Sequence, residues 1–145
     1  VTTKNIKNQG FTLVELLIVI VIIAILTVVS LVAYNGLQNQ AKTSAAKSAA
    51  DAVAKKAELY NTAKSSYPTG LGDLTNTANS GEPYYLDAKT VNAGTFAATS
   101  PAAPAEANTI EYVKCTGASG NTGAHVKYYN FSKSIVEERT IGTGC

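Results

Sequence analysis

The chain has 145 residues, with 12 Lys plus Arg against 10 Asp plus Glu and a formal charge of +2, room for one domain and little more. So balanced a charge makes no electrostatic case for nucleic acid as the main partner. One His, no Met or Trp, and two cysteines outside any Cys-x-x-Cys pair leave the catalytic and metal-binding inventory thin. Accordingly no catalytic residue, metal or cofactor is expected.

In chain order, a polar segment VTTKNIKNQG carries Lys4 and Lys7. An apolar run follows. From Leu16 to Ala33 it reads LLIVIVIIAILTVVSLVA, with Thr27 and Ser30 polar and no charge. Counted from Phe11 it would span ~34 Å as a helix, enough for a bilayer core. A secretory signal peptide competes for such a segment. It needs a shorter apolar stretch ending in small residues, and Leu31-Val32-Ala33 matches that poorly. The run therefore reads as a membrane span. Lys4 and Lys7 before it are nearly matched by Lys42 and Lys47 after it, so the positive-inside count alone leaves orientation open.

Helical signal continues through residues 35–67, rich in Ala, Lys, Gln, Glu and Leu. Small or apolar residues recur at Leu37, Ala41, Ala45, Ala49, Ala52, Val53, Leu59, Tyr60 and Ala63, a stripe at three- and four-residue steps. Pro68 and Gly70 are expected to end the helix. From Phe11 to Tyr67 it would measure ~85 Å. Its apolar first half would then need cover from lipid or from other subunits.

Residues 68–108 hold four separate glycines and the segment SPAAPA. They read as a loop-rich connection, with at most a short element around Tyr84-Tyr85-Leu86. Three strands are expected after it: TIEYVKC (109–115), HVKYYNF (125–131) beyond the glycine-rich turn TGASGNTG, and SIVEERT (134–140). They would form an antiparallel meander with one face on the helix. The fold class is α+β.

Function rests on KNQGFTLVELLIVIVIIAIL, residues 7–26. A short basic leader, Gly10, Phe11, a carboxylate at Glu15 and a long span occur there in order. This resembles the processing and assembly signal of type IV prepilins and of the related pseudopilins of type II secretion. The resemblance implies a leader of residues 1–10, cut by a prepilin peptidase between Gly10 and Phe11, with methylation of the new Phe11 amine. It also implies a span and filament core at 11–34, an amphipathic helix at 35–67, a connecting region at 68–108 and a sheet at 109–145.

Each part has a physical reason. Glycine leaves the scissile bond unobstructed. An apolar helix is stable in lipid and equally so bundled with copies of itself. A carboxylate at mid-bilayer costs about 2.5–3.5 kcal/mol and less near the interface. The resemblance assigns Glu15 to the amine of a neighbouring subunit during assembly; the competing reading is a glutamate that snorkels to the headgroups. One departure stands out. The run from Phe11 to Tyr34 lacks the proline or glycine that many of these pilins carry, and Gly36 is the first helix-weakening residue.

Cys115 and Cys145 resemble the disulfide that closes the C-terminal loop of type IV pilins, a closure worth ~3–4 kcal/mol for a loop of about thirty residues. Disulfides persist outside the cytoplasm, which sets the C-terminal part outside. The expected partners are further copies of the chain, the peptidase, the assembly machinery in the membrane, and lipid before assembly. The precursor would sit in the inner membrane and the product in an extracellular filament. Pseudopilins and minor or competence pilins share the leader, and a singly anchored binding protein is the rival from another class. Of the remaining residues, His125 and the pair Glu137-Glu138 read as surface groups. The pairs Tyr84-Tyr85 and Tyr128-Tyr129 read as split between core and surface. Asn130-Phe131-Ser132 fits a glycosylation sequon.

Overall fold

A computed structural model describes residues 10–115 and 122–145. The leader positions 1–9, with Lys4 and Lys7, and most of the glycine-rich turn lie outside the described residues. In order, the elements are helix α1 (Leu13–Lys64), a short helix α2 (Leu71–Thr75), a 3-10 turn (Thr77–Asn79), and strands β1 (Asn92–Ala93), β2 (Thr109–Lys114), β3 (Gly123–Asn130) and β4 (Ile135–Gly142). The chain divides into two units, 1–38 and 39–145.

In the first unit every residue is helical from Leu13 onward, Asn35 and Gly36 included. Thr27 donates its hydroxyl to the Ile23 carbonyl at 2.7 Å. One of the two polar groups in the apolar run is thus satisfied within its own helix, as a lipid environment requires.

The second unit is an α+β layer pair, the helix of residues 39–64 on a four-stranded sheet ordered β1-β2-β3-β4. The meander β2-β3-β4 is antiparallel, in a register that sets Ile110 opposite Tyr128 and Val126 opposite Arg139. β1 is an addition to the expected three strands. It pairs parallel with β2, Asn92 opposite Thr109, and makes the sheet mixed. Two residues are too few for an alternation pattern, and side chains fix this pairing: Asn92 Nδ2 donates to Thr109 Oγ1 at 3.0 Å. No regular element forms at Tyr84-Tyr85-Leu86. The segment crosses the core as a turn, with the Leu86 amide bonded to the Leu74 carbonyl at 2.9 Å.

The buried face of the helix is Ala46, Ala49, Ala50, Val53, Ala54 and Ala57, with Tyr60 at its edge. Ala49, Ala52, Val53 and Tyr60 belong to the stripe expected from sequence. Leu37, Ala41, Ala45, Leu59 and Ala63 are exposed. Alanine stands on every side of this helix, so periodicity cannot choose a face. The bulk opposite it chooses: Leu74, Tyr84, Ile110 and Val126 are fully buried against that side. Tyr60 meets Tyr84 edge-to-face at 4.9 Å between centroids, a favoured aromatic geometry.

The helix stops at Lys64, three residues before the expected end. Ser65 takes a left-handed conformation, φ 57°, and its amide still bonds to the Asn61 carbonyl at 2.7 Å, an αL-type termination. This turn frees Tyr67 to enter the core, where it is 4% exposed. Tyr67 also precedes Pro68, which disfavours helical geometry at that residue. Gly142 shows why glycine stands near the end of β4. Its φ is +75°, and an added Cβ would meet Gly123 Cα at 2.8 Å and Tyr67 Cε2 at 2.9 Å.

Candidate functional site: the helix start and the closed C-terminal loop

At the start of α1 the backbone changes hand. Gly10 has φ 77°, a conformation that glycine takes at no steric cost. A Cβ there would meet nothing within 4 Å, so the demand for glycine is one of backbone. Phe11 follows, 76% exposed. Thr12 then caps the helix. Its hydroxyl accepts the Glu15 amide at 3.2 Å, and Glu15 Oε2 accepts the Thr12 amide at 2.8 Å. This is a reciprocal capping box, Thr-x-x-Glu, and it satisfies two of the orphan donors of a helix start. A carboxylate in the first turn also complements the positive end of the helix dipole. Beyond the cap, every large apolar side chain from Phe11 to Leu37 is at least 46% exposed.

Cys115 and Cys145 are joined as a disulfide with Cα atoms 5.2 Å apart, so the last residue of the sequence is tied to the end of β2. Beside it, His125 Nδ1 lies 2.7 Å from Glu138 Oε1 and 3.2 Å from Thr140 Oγ1. His125 is only partly exposed and is held by the neighbouring strand.

The turn between β3 and β4 is a second organised locus. Asn130 Oδ1 accepts the amides of Ser132 and Lys133, both at 3.0 Å, and its Nδ2 donates to Glu137 Oε1 at 3.0 Å. Tyr128 donates to Glu137 Oε2 at 2.7 Å, and Lys133 reaches Oε1 at 3.2 Å. The Tyr128 hydrogen bond is the main cause that holds the Glu137 carboxyl below its ordinary value. Burial, then the Glu137 bond, pushes the Tyr128 phenol up to about 12. Glu137 is therefore a hub and not a solvated face. Thr43 of the helix ties in by accepting the Phe131 amide at 3.0 Å.

Both Tyr128 and Tyr129 are buried. They point to opposite faces of β3, and the outer face is covered too. There Phe96 stacks on Tyr129 at 6.4 Å and Phe131 meets it edge-on at 5.0 Å. The sequon is closed for the same reason. Asn130 is 7% exposed and both ends of its amide are engaged.

A description of the prokaryotic N-terminal methylation motif matches residues 5–31. No curated protein and no solved structure matches the chain. The chain thus carries the class III leader of type IV pilins at the head of a long apolar helix. Such a leader implies processing by a prepilin peptidase and assembly into pilus-type polymers, from a membrane-anchored precursor. Leader and α+β fold together support a type IV pilin-like or pseudopilin protein. Sequence reasoning placed Glu15 but missed its partner, although Thr12-x-x-Glu15 is itself the signature of a capping box.

Proposed function

We propose that this chain is a structural subunit of a type IV pilus and not an enzyme. It is cut between Gly10 and Phe11, methylated on the Phe11 amine, and polymerised through its apolar helix into an extracellular filament. The observation that carries this reading is the apolar surface of α1. From Phe11 to Leu37 it is exposed all round, under a cap that orders its first turn. An apolar helix of this kind is at home in lipid or among copies of itself, and leaving the first for the second buries the same surface. Cleavage creates the Phe11 amine four residues before Glu15. The cap uses Oε2 and leaves the charge and the second oxygen for an amine of a neighbouring subunit.

Pseudopilins share the leader, and the disulfide favours the pilus reading over them. Near the C-terminus the sequence carries these cysteines and no acidic cluster beyond Glu137-Glu138, whereas the calcium site typical of major pseudopilins takes oxygen ligands. Mass spectrometry of filaments sheared from cells tests the proposal. Subunits should begin at N-methylated Phe11 and carry Cys115 linked to Cys145. A chain that stays in the membrane fraction and never copurifies as a polymer is a mere anchor, and that result overturns the reading.

A further inference from the structure

Lys42 and Lys47 closely follow the apolar run, and between Glu15 and Asp51 the sequence has no acidic residue to offset them. With the C-terminal part outside, lysines here oppose the positive-inside bias, so insertion gains nothing from them. The fold of the second unit brings further charge to the same place. The β3–β4 turn closes on the first residues of this unit's helix. Thr43 Oγ1 accepts the Phe131 amide at 3.0 Å, and the Lys42 ammonium stands 5.6 Å from the centre of the Phe131 ring. Lys133 is held in the same turn by its amide on Asn130 Oδ1 at 3.0 Å. Lys42, Lys47 and Lys133 are all exposed. Against these three cations the turn sets one carboxylate, Glu137, already engaged by Tyr128, Asn130 and Lys133. Asp51, the next acid along the helix, is paired with Arg139. The patch carries a surplus of positive charge.

Its place along the chain says what it meets. Lys42 lies eight residues past Tyr34, the end of the apolar run, a tether of ~12 Å when helical. The headgroup layer adds roughly 5–8 Å to each side of the hydrocarbon. The difference is shorter than a Debye length of about 8–10 Å, and a lysine extends its ammonium on an apolar stem. However the two units are arranged, this tether keeps Lys42 within electrostatic reach of the headgroups. We propose that Lys42, Lys47 and Lys133 form a headgroup-binding patch that seats the β3–β4 turn on anionic phospholipid while the chain is anchored in the membrane. Phosphate oxygens accept hydrogen bonds from the three ammonium groups. The attraction is strong beside an anionic surface and weak beside a neutral one. It requires only the span, so it holds whether the anchored chain later polymerises or stays an anchor.

The test uses the full chain, one copy per lipid nanodisc, and reads amide hydrogen exchange across residues 130–134. Discs are made of phosphatidylcholine or of its one-to-one mixture with phosphatidylglycerol. In the unaltered chain the turn should exchange more slowly in the anionic discs, and high salt should remove the difference. The ratio of rates between the two lipids is the readout, because it cancels whatever a substitution does to the turn itself. A lysine beside an anionic surface is worth roughly a five-fold factor. Lys42→Gln and Lys133→Gln should each lower the ratio by up to about that factor, and glutamine at all three positions should abolish it. Arginine at all three should keep it. Equal exchange of the unaltered chain in both lipids overturns the proposal, and so does a ratio that survives the triple glutamine variant. Slowing that appears only when two copies share a disc, in neutral lipid as well, assigns the patch to an acidic face of a second copy and overturns it equally.

Discussion

Thr12 and Glu15 each satisfy the other's backbone amide at the start of α1, at 3.2 and 2.8 Å. The one acidic residue at the head of the apolar helix therefore has a partner inside its own chain. This gives Glu15 two separable properties, a hydrogen-bonding shape that starts the helix and a negative charge that can attract an amine.

The two properties respond differently to substitution. Glu15→Gln keeps the capping box, since glutamine serves at that position, and removes the charge. Glu15→Leu removes both and should enter the membrane at least as well. If the charge recruits the next subunit, both variants should be cleaved and methylated yet yield few or no filaments, with Glu15→Asp intermediate. Filament yield by shearing and processing by mass spectrometry read this out. Normal piliation in Glu15→Gln with loss in Glu15→Leu would show that the cap alone matters. Thr12→Ala isolates the cap, at a cost of about 0.5–2 kcal/mol to the helix start.

Gly10→Val should leave an uncut, membrane-retained precursor. Valine is β-branched, and at φ 77° it is a genuine steric outlier. The variant changes both the backbone and the access of the peptidase to the following bond. Gly10→Asn separates them, because asparagine tolerates the left-handed region while still adding a side chain. Immunoblotting for the size shift of processing is sufficient. Intact filaments whose subunits retain residues before Phe11 in Gly10→Val sink the assignment of the cut.

The long helix was legible from its unbroken apolar run and the helix-forming residues after it, and the three antiparallel strands from alternating residues bounded by turn signals, which together give the α+β class. What was not legible has physical causes. The buried helix face could not be read from a surface of alanines, since the large residues that select it come from elsewhere in the chain. Strand β1 is two residues long and is fixed by Asn92 on Thr109, a pairing seventeen positions apart. Glu137 reads as a surface charge because its partners Tyr128 and Asn130 lie on the neighbouring strand and across a turn. At the N-terminus the opposite holds. Gly10, Phe11, Thr12 and Glu15 lie within one short contiguous segment, so local spacing was enough to find it, and only the Thr12 cap went unread.

Cys145→Ser should destabilise the folded domain by ~3–4 kcal/mol, the chain-entropy value for a loop of this length, with membrane insertion unchanged. Thermal melting of the oxidised chain with and without reductant gives the same comparison without a mutation. The effect should be largest in β4 and in the residues after it, which the disulfide ties to the end of β2. Equal melting temperatures in both conditions would mean that strand pairing with β3 alone holds the C-terminus.

Thr43→Val should cost about 0.5–1.5 kcal/mol, because it leaves the part-buried Phe131 amide without its acceptor. The residue sits on the helix and its partner in the β3–β4 turn, so the loss should appear as faster amide exchange in that turn. In a glycosylating host Asn130 should stay unmodified in the folded protein, since its Nδ2 is engaged by Glu137. A glycan found on Asn130 in intact filaments would contradict the buried position of this side chain.

Stability should fall at both ends of the pH scale, and one contact, Tyr128 on Glu137, contributes to both. The Glu137 carboxyl is held below its ordinary value, chiefly by the Tyr128 hydroxyl. A lowered native pKa means the folded state binds that proton less tightly than the unfolded one. The stability this contributes is complete above the ordinary carboxylate range and is lost as pH falls through the native value. Tyr128 and Tyr67 are shifted the other way, from 10.0 to about 12, by burial and by donation to Glu137 and Glu58. Burial moves Tyr112 upward as well. For these phenols the folded state keeps the proton longer. Their contribution is present below pH ~10, the ordinary phenol value, and disappears as pH rises from there toward about 12. Denaturant melts across pH should therefore show a plateau with an acid limb and an alkaline limb. Tyr128→Phe removes the donor, should cost ~1.5–3 kcal/mol at neutral pH as the loss of a hydrogen bond to a charged group, and should flatten both limbs. The acid limb flattens because the Glu137 carboxyl moves back toward its ordinary value, and the alkaline limb because one late-titrating phenol is gone. Unchanged limbs in Tyr128→Phe would mean that the pH response originates elsewhere in the domain and that this contact is energetically idle.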